Sequence, residues 1–153
     1  EENRGFELIM LNFNYERLSM IAGMVGASRV LFDEALAWAK ERKTFGKRLA
    51  DHQVIRHKLV EMHRMLNATS AWGEQLCWRI EQGETPAGEL AEAKVQASLT
   101  MEFCAREAAQ ILGGASYLRG NPVERYYREV RVNAIGGGSE EIMRDLAARQ
   151  LGI

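Results

Sequence analysis

Hydrophobic residues recur along most of the chain at three- and four-residue spacing. The first such stretch carries Leu18, Ile21, Ala22, Val25, Leu31, Phe32, Ala35 and Trp38. That period predicts a long amphipathic helix from a cap at Asn14 to about Arg42. Gly23 and Gly26 lie inside it, and each weakens an isolated helix by about 1 kcal/mol while leaving room for a close neighbour. A second helix begins after a cap at Asp51 and ends at Gln82-Gly83. Its apolar seam, Ile55, Leu59, Met62, Leu66, Thr69, Gly73, Leu76 and Ile80, alternates four and three apart, the spacing of long helices packed side by side. A third helix opens at Thr85-Pro86 and stops at Gly113-Gly114. Its buried side reads Leu90, Ala93, Ala97, Met101, Cys104, Ala108 and Ile111, small enough to draw neighbours close. Asn121-Pro122-Val123-Glu124 starts a shorter helix in the manner of a capping box. After the loop Gly136-Gly137-Gly138, Ser139 caps a last helix with Glu140 and Glu141 in its first turn.

The sum is an all-α chain. Short connections predict an antiparallel up-and-down four-helix bundle with an additional short helix. Residues 1–11 stand apart: Gly5-Phe6-Glu7-Leu8-Ile9-Met10-Leu11 reads as a strand ending or lead-in loop, as if cut from something longer.

Composition adds limits. The 153 residues suffice for one domain that buries about 70% of its unfolded surface. Twenty Lys+Arg against 21 Asp+Glu give a net charge of −1, which offers no basis for a nucleic-acid partner or an anionic membrane. The longest apolar run, near Met20 to Ala27, is too short for a membrane span. The opening Glu-Glu-Asn-Arg shows no signal peptide. Cys77 and Cys104 have no paired spacing and are expected to be buried, inert thiols in a reducing compartment.

Chemistry has three places to sit. Metal binding is not among them: His52, His57 and His63 share one helix without ligand spacing, and no Glu-x-x-His pairs occur. Gly113-Gly114 reads as a helix end before it reads as a ligand loop. Gly136-Gly137-Gly138-Ser139 is more suggestive, because stacked glycines free backbone N–H groups beside a helix N-terminus. Arg42, Lys43 and Lys47 cluster at a helix end. They read equally as dipole compensation or as a phosphate contact.

The segments ERKTFGKRLADHQVIRHKLVEM, QILGG, NPVERYYREVR and IGGGSEEIMRDLAAR, in this order and spacing, resemble the C-terminal helical domain of acyl-CoA dehydrogenases. The resemblance covers residues 12–153 and implies that residues 1–11 are the tail of a preceding β domain or a linker. It implies a flavoenzyme that oxidises acyl-CoA thioesters between the α and β carbons, with FAD as cofactor. Electron-transferring flavoprotein would take the electrons, and the assembly would be a homodimer or homotetramer in bacterial cytoplasm or the mitochondrial matrix. By motif, Arg42, Lys43, Thr44, Phe45, His52 and Gln53 would meet FAD. Gln110, Ile111, Leu112, Gly113 and Gly114 would meet the FAD of a neighbouring subunit. Ser139, Glu140 and Glu141 would make a further FAD contact.

The catalytic base is where this chain departs from the commonest pattern. Gly137 stands where many members carry a glutamate. Either the enzyme is inactive or the base comes from elsewhere. The isovaleryl-CoA and long-chain types resemble the second case, carrying it at the opening of the first helix, here Asn14-Tyr15-Glu16-Arg17-Leu18. Glu16 becomes the candidate base and Arg17, Gly137 and Gly138 the substrate-side residues. The Gly137 N–H would bond the thioester carbonyl. A first-turn position and Arg17 would favour a charged Glu16, and exclusion of water would oppose it. The bare glycines would widen the acyl pocket. Alternatives are an acyl-CoA oxidase, a noncatalytic relative, or a helical assembly module. The isolated chain is expected to be weak or inactive as a catalyst.

Overall fold

A computed structural model of the chain describes residues 2–153. Five helices carry the fold: α1 (Gly5–Glu41), α2 (Gln53–Glu81), α3 (Ala87–Leu112), α4 (Pro122–Ile135) and α5 (Glu140–Leu151). Two-residue strands β1 (Lys43–Thr44) and β2 (Lys47–Arg48) form an antiparallel hairpin between α1 and α2, with Lys43 opposite Arg48 and Thr44 opposite Lys47. One 3-10 turn, Leu49–Asp51, follows the hairpin, and another, Gly113–Tyr117, follows α3.

Side-chain contacts fix the directions. Arg17 lies near Lys94, and Ser28 lies near Cys104, so α1 and α3 run parallel. Phe32 meets His63 at 5.1 Å, and Ile21 lies against Gly73, so α2 runs opposite to α1. Lys94 reaches Ala134 and Arg131 reaches Glu102, so α4 runs opposite to α3. Alternating directions give the up-and-down bundle. The additional helix, α5, packs antiparallel on α3, where Ser98 meets Glu140 and Gly88 meets Gln150. α3 is the central element, and its expected face is buried throughout. Ala93, Ala97, Ala105 and Ala108 let the neighbouring helices approach.

The α2 seam is consumed inside the chain. Leu59, Met62, Leu66 and Leu76 are 0–7% exposed, each contributing roughly 1.5–3 kcal/mol. Within α2 and α3, Thr69 and Thr100 satisfy one another at 2.9 Å. Lys58 on α2 pairs with the buried carboxylate of Glu107 on α3.

Several local expectations change. α1 begins at Gly5, not after Asn14, so residues 5–11 are helix and not a strand end or loop. Phe, Leu, Met and Glu are all compatible with a helix, and a short apolar run does not separate the two conformations. The Asn14 amide oxygen instead accepts from Arg17 at 3.1 Å. His52, not Asp51, precedes α2, because the Asp51 carboxylate is turned back to the Arg48 backbone and guanidinium. Pro86, not Thr85, caps α3. Asn121 caps α4 by accepting from Val123 at 2.8 Å, but Glu124 pairs with Arg128 and closes no box. Cys104 is buried, which pushes its thiol up to about 12, whereas Cys77 is exposed, contrary to expectation. Among the described residues no helix is long and apolar enough to cross a membrane.

Candidate functional site

α4 ends where the Gly136 N–H donates to Val132 O at 2.7 Å. The chain then turns through Gly137 at φ +68°, a backbone region that side chains disfavour. Arg17 crosses from α1 to this turn: its Nε donates to Gly137 O at 3.2 Å. Arg17 as a whole is 8% exposed, and its guanidinium also bonds Asn14 and lies 5.7 Å from the Phe13 ring centroid. Burial holds it below the ordinary arginine value, and the neighbouring Glu16 charge opposes that shift. The fold thus brings the Glu16-Arg17 turn to the bare glycine, although the two are 120 residues apart.

Glu16 itself is exposed and accepts from Asn12 Nδ2 at 2.6 Å. It does not sit in a first turn. α1 starts well upstream, so the helix dipole does little for its charge. The space around the glycines is not vacant either. A Cβ at Gly137 would meet Met20 Sδ at 2.6 Å, and one at Gly136 would meet Met20 Cε at 3.4 Å. Met20 fills the volume that the missing side chains leave, so the glycines by themselves do not widen a pocket. Met143 packs likewise under Gly138. The Gly137 N–H donates to no group among the described residues.

Periodicity could not reveal Lys94. It is 0% exposed, and its Nζ donates to Ala134 O at 2.9 Å and to Gly138 O at 2.7 Å. Burial lowers its affinity for a proton, the Glu140 carboxylate restores part of it, and Arg17 opposes it. The only sequence signal was a lysine beside the buried alanine stripe of α3. Ser139 caps α5 as expected, accepting from Ile142 N at 3.5 Å. The two acids after it part company. Glu140 turns inward to Ser98 Oγ at 2.9 Å, and Glu141 stays exposed. The Glu141 backbone N–H and then the Ser139 hydroxyl hold its carboxyl below the usual range.

The second group lies at the opposite end of α1. In the hairpin tip Phe45 and Gly46 both have positive φ, +51° and +80°, as a two-residue type I′ turn requires. The Phe45 ring is 97% exposed. Arg42 and Lys43 are exposed, and among the described residues neither head group has a carboxylate partner. Thr44 Oγ1 lies 3.4 Å from His52 Nε2, which joins the hairpin to the start of α2, where Gln53 is exposed. Two cations without a carboxylate partner among the described residues, a hydroxyl and a bare aromatic ring on one tip suit a ligand that joins planar rings to a diphosphate, such as a dinucleotide.

Because α1 and α3 are parallel, the end of α3 lies at this same end of the bundle. Gln110, Gly113 and Gly114 are exposed there. Ile111 and Leu112 are 4% exposed, so they are buried within the bundle. A groove of about 520 Å³ opens beside Gln110 and Gly113, lined further by Ser116, Tyr117, Tyr127 and Arg128. The site residues therefore form two separate groups, one at each end.

The model of the acyl-CoA dehydrogenase C-terminal domain matches residues 3–152. The acyl-CoA dehydrogenase AFT10-1 of Alternaria alternata is 36% identical over 161 residues, covering 98% of this chain and 37% of its own. The mouse mitochondrial long-chain specific acyl-CoA dehydrogenase is 34% identical over 151 residues, covering 99% and 35%. The crystal structure of an acyl-CoA dehydrogenase from Geobacillus kaustophilus superposes with a TM-score of 0.97 at 29% identity, covering 100% of this chain and 40% of that one. The chain thus spans little more than a third of the curated relatives it matches. On the match of nearly its whole length, the chain belongs to the acyl-CoA dehydrogenase family, as a C-terminal domain.

Proposed function

We propose that this chain is the C-terminal part of an FAD-dependent acyl-CoA dehydrogenase whose base is Glu16. The observation that carries the reading is the Arg17–Gly137 hydrogen bond, which sets the turn bearing Glu16 against the loop that lacks a side chain. When bound, FAD supplies the acceptor for the hydride leaving the β carbon. The hairpin residues Arg42, Lys43 and Thr44 hold its charged end, with Phe45, His52 and Gln53 beside them. The outward parts of Gln110 to Gly114 serve the cofactor of a second subunit. Ser139 and the exposed Glu141 make the further contact. Glu140 faces α3 and contributes by fixing the loop.

The chain's own chemistry is proton removal. The Gly137 N–H, left without an internal partner, donates to the thioester carbonyl and acidifies the α proton. Glu16 takes that proton as a carboxylate, with Arg17 fixing its turn. Acyl-CoA is the substrate, electron-transferring flavoprotein the electron acceptor, and a homodimer or homotetramer the assembly that completes the cofactor site. We place it in bacterial cytoplasm or the mitochondrial matrix.

The test is Glu16→Gln in the full-length flavoprotein, mixed with acyl-CoA without oxygen. Flavin bleaching should slow by about 10²–10⁴-fold with FAD still bound, the range of a lost general base. Bleaching at the wild-type rate removes Glu16 from the mechanism.

A further inference from the structure

Two buried cations converge on one short stretch of backbone. Arg17 binds the carbonyl of Gly137, and Lys94 binds those of Ala134 and Gly138. One bond of Lys94 reaches the last turn of α4 and the other the residue before the Ser139 cap of α5. Its ammonium therefore brackets the loop from both sides. Glu140 supplies the compensating charge and is itself held by Ser98, one turn from Lys94 on α3. A buried lysine needs such partners, since an unpaired ammonium is strongly disfavoured in an apolar interior. Nothing about helix packing requires a lysine here, for Ala93 and Ala97 on the same helix pack with no polar group at all.

We propose that Lys94 is a positioning residue of the dehydrogenation site, holding the glycine loop so that the Gly137 N–H stays aimed at the substrate carbonyl. This rests on the reading of the chain as an acyl-CoA dehydrogenase. Gly136 and Gly137 have no side chains to wedge the turn, so the fixed points left to the loop are its carbonyls, Met20 beneath it and the Ser139 cap. A backbone donor stabilises a developing enolate only where its position is set beforehand. Lys94 touches neither substrate nor cofactor in this scheme. It acts through the loop.

The experiment uses the full-length holoenzyme with Lys94→Met, of similar length but uncharged, and Lys94→Arg, which keeps the charge in a larger planar head. Three quantities are read for each: flavin content, the split between kcat and KM, and deuterium exchange at the α carbon of the acyl-CoA. Exchange reports enolisation and not hydride transfer. Lys94→Met should keep its flavin, leave KM within a few-fold, and lose on the order of 100-fold in both kcat and exchange, the scale of a group displaced by about an ångström. Lys94→Arg should lose an intermediate amount, on the order of 10-fold, and it carries the test if the methionine variant does not fold. Exchange within twofold of wild type in either folded, flavin-bound variant overturns the proposal. Loss of flavin with normal exchange on reconstitution also overturns it, by making the residue structural only. Failure of the base assignment looks different: there Glu16→Gln exchanges normally, whatever Lys94 variants do.

Discussion

The glycine-loop end and the hairpin end are built on opposite plans. At the first, side chains from α1 and α3 reach across the bundle to backbone carbonyls, with Arg17 and Lys94 removed from water. At the second, Arg42, Lys43 and Phe45 face outward, and the hairpin is tied mainly by neighbours in sequence: Leu49 N–H to Arg42 O at 2.8 Å and Arg48 to Asp51 at 2.9 Å. One end ties its cations to backbone across the bundle. The other leaves its cations and its aromatic ring exposed. On the proposed function, buried charge positions the chemistry at the first end, and exposed charge grips a large ligand at the second.

The sharpest way to break this contrast is a matched pair of glycine substitutions. Gly137→Ala meets both an unfavourable φ and Met20, so it should lower stability by about 3 kcal/mol. Gly46→Ala has nothing within 4 Å of its Cβ and should cost only the backbone strain, about 1 kcal/mol. Chemical denaturation of both measures the difference, and adding Met20→Ala should recover the steric part at Gly137 alone. Equal losses at the two sites would show that Met20 yields freely. A smaller contrast separates the arginines. Arg17→Met leaves Gly137 O without its donor and should cost about 2 kcal/mol, whereas Arg42→Met should stay within about 0.5 kcal/mol while weakening cofactor retention. Comparable destabilisation by both would mean that the hairpin, too, is held by tertiary contacts.

The smallest effect is in pH. The Arg48 hydrogen bond holds the Asp51 carboxyl below its ordinary 3.8. Its contribution is therefore full above 3.8 and is lost as pH falls through the lower folded value. Lys94 has the same sign at the alkaline end: burial lowers it from 10.5, so just below 10.5 the unfolded chain binds the proton more tightly and stability again rises with pH. Thermal midpoints of Asp51→Asn and Lys94→Met against pH should lose the acid and alkaline slopes respectively. If each variant keeps its slope, the groups do not carry these dependences.

Much of this was legible in the sequence because it is periodic or local. The α2 seam, the Gly113 stop and the Ser139 cap each depend on residues within one turn of one another. What escaped depends on tertiary contact. Asn14 looks like a cap, yet its side chain serves Arg17 while the helix runs through it. Glu140 and Glu141 are adjacent in sequence, but a helical rotation between them sends one to α3 and the other to solvent. Lys94 reads as an ordinary surface residue until α4 is placed over it. The family resemblance pointed to the glycine loop and to Glu16, but not to Met20 packed against Gly136 and Gly137.

The Arg17–Gly137 bond joins residues 120 positions apart, and that separation has a consequence in time. At about 5–20 residues per second, synthesis delivers the carbonyl roughly 6–24 s after the guanidinium. Over that interval Arg17 is a charged group waiting on the future inner face of a helix. The glycine-loop end can close only once all of this stretch has left the ribosome, so its tie across the bundle is made late relative to the helix that carries Arg17.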